Sequence, residues 1–464
     1  MKHHSTITMK EENMTFTNRR HIVPFSIACL ALVGILLDGR LATADDWGQW
    51  MGPNRDGVFH EDGLIDAIPK DGLKVKWRTP IRGGYAGPAV ADGWVFVFDY
   101  VQEGGEAFNQ PTQRANLKGR ERLVVLNEVD GSEVWNYEYD CPYSISYPAG
   151  PRCTPTVDGD RVYILGSEGD LACLKVNNGD VVWKKSLKKD FSAEVPLWGF
   201  AAHPLVDGDL LYTMVGGEGQ GVVAFDKMTG EVRWKALNCK AGYCPPSIVQ
   251  HGGVRQLLIY HPEAVVSLDP ANGNEHWSIP IEPLYGMSIC RPMIDGNLLY
   301  VSGIGSQSVM IELNADKPEA KELWRGNRRN SVYGATATPQ FVDGILYGSD
   351  CHVGKFFAVD GKDGTRLWET FDATRPEEER FIKHGTGFVT RLGDSNRYLI
   401  MSEVGDLVLT ELTKEKYTSL GRFHVLEPTS EAHGRNVVWS HPAYANRTAY
   451  VRNDKEIVAV SLAK

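Results

Sequence analysis

Along this chain apolar residues alternate with polar ones in short runs, and the runs are separated by Gly, Pro, Asp and Asn. That period of two, bounded by turn residues, predicts β-strands. Five stretches share one plan: "GPAVADGWVFVFD", "TPTVDGDRVYILG", "HPLVDGDLLYTMV", "RPMIDGNLLYVSG" and "TPQFVDGILYGSD". A Pro opens a short apolar strand, an Asp-Gly or similar turn follows, and a second strand rich in Val, Leu and Tyr comes next. Asp-Gly between alternating apolar runs is a strong hairpin signal. A third strand ("LVVLN", "LACLK", "VVAFD", "AVVSLD", "FFAVD") then leads into a turn and a fourth strand. The turn has its own signature. "AFDKMTGEVRW" (residues 224–234) has near copies ending at Trp135, Trp183, Trp277 and Trp368, each with Gly four residues before Trp.

Each unit is therefore four antiparallel strands, and successive units are 43 to 58 residues apart. Fourth-strand aromatics are Trp135, Trp183, Trp234, Trp277, Trp324 and Trp368; before Trp324 the Gly is replaced by Ala320. A seventh unit runs from Phe388 to near Phe423 without a Trp. "KVKWRTP" around Trp77 reads as a lone fourth strand, and "HPAYANRTAYVRNDKEIVAVSL" as three strands lacking a fourth. Joined, they complete an eighth unit and remove the open edge. The expected fold is all-β: an eight-bladed β-propeller of four-stranded antiparallel blades over residues 75–464, its last blade closed by N- and C-terminal strands. One flat aromatic per blade, Trp77 included, is expected to fill the gap against the neighbouring blade. The Gly lets the chain turn with positive φ before that strand. Kelch and WD propellers compete, but their Gly-Gly and Trp-Asp signatures do not recur in register.

The "AFDKMTGEVRW" pattern resembles the tryptophan-docking motif of eight-bladed pyrroloquinoline quinone (PQQ) propellers, over roughly residues 75–464. "WGQWMGPNRDGVFHEDGL", in the lead-in over residues 45–74, resembles the start of secreted PQQ-like propellers. The resemblance implies the fold more than a chemistry, because that family holds both quinoprotein dehydrogenases and inert scaffolds.

Arg19 and Arg20 precede the apolar run "IVPFSIACLALVGILL", and "LATA" follows. The run is 16 residues, short of the roughly 20 that span a bilayer. Residues 1–44 are therefore expected to be a signal peptide cut after Ala44, making the protein exported, periplasmic or extracellular. The remaining chain has 44 basic and 56 acidic residues and no basic tract, which disfavours nucleic acid and anionic membrane as partners. Seven cysteines remain after Cys29 is removed. Cys239 with Cys244, and Cys141 with Cys153, are candidate pairs in an oxidising compartment; no spacing gives a zinc pattern.

Loop lengths choose a face. First-to-second and third-to-fourth turns are tight, whereas 99–121, 138–152, 185–201 and 369–386 are long and lie on the opposite face. Binding is expected there. Aligned on the Pro of each first strand, the position two before it is always small: Ala86, Cys153, Ala202, Cys244, Cys290, Ala337 and Ser440. Crowding at the propeller axis explains this column better than a metal or redox site built on three of its cysteines. The next position holds His203, Arg291 and His441, with Arg152, Trp198, Tyr243 and His384 in the same loops. These seven are the candidate binding residues, since Arg and His at a channel mouth suit carboxylate, phosphate or a quinone's acidic groups.

By the resemblance, a PQQ dehydrogenase carries adjacent cysteines against the cofactor, calcium on Glu and Asn, and an Asp base. No Cys-Cys dipeptide occurs here, and no such Glu, Asn and Asp set is matched. No catalytic residue, metal or cofactor is therefore expected. The favoured function is a non-catalytic binding or scaffold propeller, monomeric, with a protein or polysaccharide partner on the long-loop face. A PQQ- and calcium-dependent dehydrogenase of alcohols or sugars is the alternative, and a propeller hydrolase or lyase a third. N-terminal sequencing of exported protein should begin at Asp45; residues 20–40 retained in a membrane fraction would contradict the expected cleavage.

Overall fold

A computed structural model of the protein describes residues 46–378 and 380–464, so the expected leader lies outside the described residues. Within them, eight sheets are each built on four antiparallel strands, and Ser430–Ala432 pairs with Arg435–Val437 as a separate two-stranded hairpin. Blade 3 is typical: Leu205–Asp207, Leu210–Met214, Val222–Asp226 and Val232–Ala236, paired in chain order. Blades 1, 2, 4, 5, 6 and 7 occupy residues 89–140, 156–186, 247–280, 293–325, 340–370 and 387–424. Blade 8 pairs Val75–Pro80 with Glu456–Ser461, placing Trp77 opposite Ala459. Trp234 stands opposite Ala224 in the same way. The two chain ends thus share one sheet, as their incomplete strand sets require.

Second and third strands are largely apolar where they lie between neighbouring sheets, as in Leu210–Met214 and Val222–Asp226. Core clusters accordingly join neighbouring blades: Tyr163 and Leu165 of blade 2 pack with Leu211 and Phe225 of blade 3, and these with Leu257 and Ile259 of blade 4. Fourth strands lie outermost and alternate, as in the half-exposed Val232–Ala236.

The recurrent Trp performs two tasks at once. The Trp183 indole Nε1 donates to the Lys227 carbonyl of the next blade at 2.9 Å. Its ring lies so close to Gly230 that a Cβ there would sit 2.7 Å from it. Gly230 also has φ +72°, a conformation costly for any side chain. The pattern repeats from Trp77 to Glu128 (2.9 Å), Trp135 to Val176 (2.9 Å), Trp234 to Pro270 (3.0 Å), Trp324 to Gly361 (3.0 Å) and Trp368 to Thr413 (2.8 Å). The exception is informative. Trp277 precedes the blade in which Ala320 stands in place of the Gly and opens the fourth strand, paired with Leu313, and its Nε1 turns back to Gln256 Oε1 of its own blade at 2.8 Å. Blade 7, which lacks Trp, offers Phe423, and Gly72 before blade 8 lies against that ring in the same manner: a Cβ there would sit 2.7 Å from it.

One feature differs from the sequence reading. Residues 99–121 are largely strand, not loop: Trp94–Gly104 and Ala115–Asn127 form one long hairpin. Its extension is buried on one side against Tyr143–Ile145, through Tyr100, Leu117 and Ile145. The lead-in packs onto the ring. Trp47 bridges Val90 of blade 1, Gly48 O accepts from Val157 of blade 2, and Val58–Phe59 pairs in parallel with blade 7. Residues 47–59 therefore run across the inner edges of the blades and fill the axis.

Replacing Gly230 with Ala should lower stability by roughly 2–4 kcal/mol, strain and ring overlap combined. Gly208→Ala, which has φ +57° but open space around the new Cβ, should cost only about 1 kcal/mol. Urea unfolding of the two variants gives the comparison; equal losses would remove the indole contact as the reason for the glycine.

Candidate functional site

The blade-to-blade and second-to-third loops surround a cavity of about 1340 Å³ on one face of the ring. This is the face singled out by loop length. Its floor is Trp50, brought there by the axial segment. Neighbouring residues pin that segment: Trp47 packs edge-on against Phe59 and Tyr444, and Arg55 is buried. The Arg55 guanidinium donates to Gln49 Oε1 (2.7 Å), to the carbonyls of His203 (3.2 Å) and Pro246 (3.0 Å), and to that of Pro204.

Trp50 stacks on the His203 ring with centroids 5.0 Å apart and meets His441 edge-on at 5.5 Å. His203 Nδ1 accepts the Thr154 N–H at 2.7 Å, which leaves its proton on Nε2. His441 Nε2 donates to the Thr336 carbonyl at 3.1 Å. Burial, then the charge of Arg55, holds His203 well below the usual imidazole range. Burial also brings His441 down to about 4. Both rings are thus neutral near pH 7 and present apolar faces with a single oriented proton.

The walls are aromatic and cationic. Arg152 lies over the Tyr85 ring at 5.2 Å and donates to the Ser146 carbonyl at 2.9 Å, as well as to those of Tyr147 and Gly150. Trp198 meets Tyr243 edge-on at 5.6 Å. His384 and His433 stack at 4.7 Å with rings parallel to 1°, flanked by Trp439. Both have left-handed backbones, φ 56° and 51°, a strained conformation that packed surroundings must hold in place. Burial, then His433 itself, draws His384 down to about 4. Lys240, Lys383, Glu194, Glu218 and Glu263 add charge around the cavity, and Tyr285 stands exposed at its mouth.

Of the seven candidate residues, Arg152, Trp198, His203, Tyr243, His384 and His441 line this one cavity. Arg291 does not; it is buried, with its N–H on Thr338 Oγ1 at 3.1 Å and Nη1 on Met293 Sδ at 3.2 Å. Sequence reasoning missed Trp50, Tyr85, Tyr147, His433 and Trp439. Trp47 and Trp50 carried a usable signal, being large aromatics outside the repeat. The others lie in irregular loops whose convergence only the ring creates.

The cysteines do not supply a reactive centre. All seven described cysteines are buried and unpaired, including the candidate pairs Cys239 with Cys244 and Cys141 with Cys153. In the small column, Cys153, Cys244 and Cys290 direct their thiols at carbonyls of Phe200 (3.8 Å), Cys290 (3.5 Å) and Ala337 (3.3 Å). Burial raises each thiol, that of Cys290 to about 12, so none is a thiolate ligand or nucleophile at neutral pH. Among the described residues no group of three or more His, Cys, Asp and Glu is arranged to hold a metal ion. Calcium beside a quinone needs several oxygen donors converging on one point. The cavity carboxylates Glu194, Glu218 and Glu263 come from three separate loops and join no such group.

No curated protein matches the chain significantly. Among solved structures, the quinohemoprotein alcohol dehydrogenase from Comamonas testosteroni is 13% identical over 90% of this chain and 81% of that chain, with a TM-score of 0.55. BamB from Moraxella catarrhalis is 14% identical over 86% and 99%, with a TM-score of 0.39. At such identity the first likeness shows the fold alone, and the second carries no further weight. The family model described as outer membrane protein assembly factor BamB matches residues 119–370 and 263–412. That match takes in more than half of the chain, and the protein belongs to this family of PQQ-like β-propellers.

Proposed function

We propose that the protein is an exported, non-catalytic binding propeller that seats an extended segment of a protein or polysaccharide in the long-loop cavity. The observation that carries this reading is the cavity's chemistry. Its floor is the chain's own Trp50, sealed from the axis by a segment bonded to several blades, and its histidines are held neutral. Such a floor binds by shape and stacking; a general base would need an imidazole able to titrate near its working pH.

The size supports a polymer segment rather than a metabolite. Small-molecule sites are typically about 300–1,000 Å³, and this cavity is about 1340 Å³ and open at one end. Trp198, Tyr243 and Trp439 offer rigid faces that bind at low entropic cost. Arg152, its donors spent on backbone carbonyls and its plane on Tyr85, is held at a defined place in the wall. The BamB description names a protein of outer-membrane protein assembly; a binding role for this chain is in keeping with it.

The dehydrogenase alternative rests on a shared fold, and fold does not fix function. The two readings separate in one assay. Purified protein titrated with PQQ and calcium should show no saturable quenching of tryptophan fluorescence and no alcohol-dependent dye reduction. Screened against immobilised peptides and polysaccharides, it should retain partners whose affinity falls about tenfold or more on Trp198→Ala. Saturable PQQ binding that is lost on His203→Ala, accompanied by dye reduction, would overturn the proposal.

A further inference from the structure

Five successive connections between blades each bring one aromatic ring to the cavity. Trp439 lies between blades 7 and 8, Tyr85 between 8 and 1, Tyr147 between 1 and 2, Trp198 between 2 and 3, and Tyr243 between 3 and 4. Tyr85, Trp198 and Trp439 pack on the cluster formed by Tyr147, Ala432 and Val437. Ring centroids of Trp439 and Tyr147 are 6.2 Å apart, and those of Trp198 and Tyr243 5.6 Å. The rings thus make one aromatic arc that follows the blades. Trp198 and Trp439 are only partly buried, which leaves part of each indole open to a ligand.

The floor adds one fixed donor. His203 is 7% exposed, and it lines this cavity. Its Nδ1 takes the Thr154 N–H at 2.7 Å, so a second ring proton would set N–H against N–H. Nε2–H reaches no acceptor among the described residues. An uncharged N–H donates to a hydroxyl or ether oxygen and, unlike a guanidinium, has no preference for carboxylate. Charge in the lining is nearly balanced as well. Glu194, Glu218 and Glu263 stand against Arg114, Arg152, Lys240 and Lys383. Arg114 is tied to the carbonyls of Ser144 (2.6 Å) and Val195 (2.8 Å), and Arg152 to that of Ser146 (2.9 Å). Beyond residue 44 the chain has 56 acidic and 44 basic residues, a field that repels polyanions. The cavity itself, with one basic group in excess, does not favour a polycation.

We propose that the segment seated in this cavity belongs to an uncharged polysaccharide, with its sugar rings laid along the aromatic arc and one oxygen taking the His203 Nε2–H. This rests on the binding reading above and names its ligand. A pyranose ring carries C–H bonds on its faces and hydroxyls around its edge. The C–H face suits the negative face of an aromatic ring, and the edge suits single oriented donors. Asn238, whose Oδ1 accepts from Gly219 N at 2.5 Å, adds its amide N–H groups to the lining. Like rings recurring from blade to blade match like units recurring along a polymer. An extended peptide is ordinarily caught by a sheet edge and by separate pockets for unlike side chains, whereas these aromatics form one continuous surface.

The test is calorimetric titration of the wild-type protein with the hexasaccharides of cellulose, xylan, mannan and laminarin, their disaccharides, hexagalacturonate, and a pool of random dodecapeptides. At least one neutral hexasaccharide should bind saturably, about tenfold or more tighter than its disaccharide and than hexagalacturonate. Trp439→Ala should weaken it about tenfold or more. His203→Phe, which keeps an aromatic ring against Trp50 and removes the N–H, should weaken it about threefold or more. Failure of every neutral hexasaccharide, preference for hexagalacturonate, or an affinity untouched by Trp439→Ala would each overturn the inference. Peptide binding without sugar binding overturns it and leaves the binding reading standing. Should neither sugar nor peptide bind while PQQ does, that reading falls too. If His203→Phe does not fold, the wild-type comparison and Trp439→Ala still decide.

Discussion

The ring depends on one contact repeated from blade to blade: an indole laid across the turn of the next sheet, its N–H on a carbonyl there and its ring against a residue with no side chain. A four-stranded blade has two apolar faces and cannot cover either alone. The indole supplies area and direction together, since its hydrogen bond sets the rotation of one blade on the next while its face excludes water from the seam. Trp277 and Ala320 show the coupling. Where the next blade has Ala320, already part of its fourth strand, in place of the glycine, the indole N–H is satisfied inside its own blade by Gln256. Where blade 7 has no Trp, Phe423 takes the ring's place beside Gly72 and gives up the hydrogen bond.

Closing eight sheets into a ring leaves an axis lined by first strands, and its filling determines the site. The small column at Ala86, Cys153, Ala202, Cys244, Cys290, Ala337 and Ser440 lets those strands crowd together, with thiols used as compact, weakly polar packing. What remains open is closed by residues 47–59. That segment buries two tryptophans and an arginine, borrows carbonyls from blades 3 and 4, and adds a parallel strand to blade 7. A propeller channel thereby becomes a blind cavity, and the same segment provides its floor.

The cavity's electrostatics follow from that closure. With the axis sealed, His203 and His441 lose water and are held neutral beneath Trp50. Guanidinium groups in the walls are fixed by backbone oxygens rather than carboxylates, as at Arg152. Such a lining offers aromatic faces, oriented donors and fixed charge.

The repeat was legible in the sequence because it is local: Asp-Gly hairpins, period-two strands and the Gly-to-Trp spacing are each settled within about a dozen residues. Blade number, the splice of Trp77 with the C-terminal strands, and the identity of the long-loop face follow from counting them. Six of seven candidate residues reach the cavity, His203 and His441 because the repeat sets their place before the Pro and the other four because they lie in the long loops beside it. The rest had no local signature. Arg291 shares an alignment column with His203 and His441, yet its long side chain turns away from the cavity and lies buried, a choice made by packing. His433 and Trp439 come together with Tyr147 only because blade 8 is brought beside blade 1. The hairpin over residues 99–121 is strand because Tyr143–Ile145 covers it. Trp50 is a floor only because a ring of eight leaves a hole of that width. Sequence determined the repeating unit, whose energetics are nearest-neighbour; tertiary structure decided the axis and the cavity, where residues far apart in the chain compete for one enclosed space.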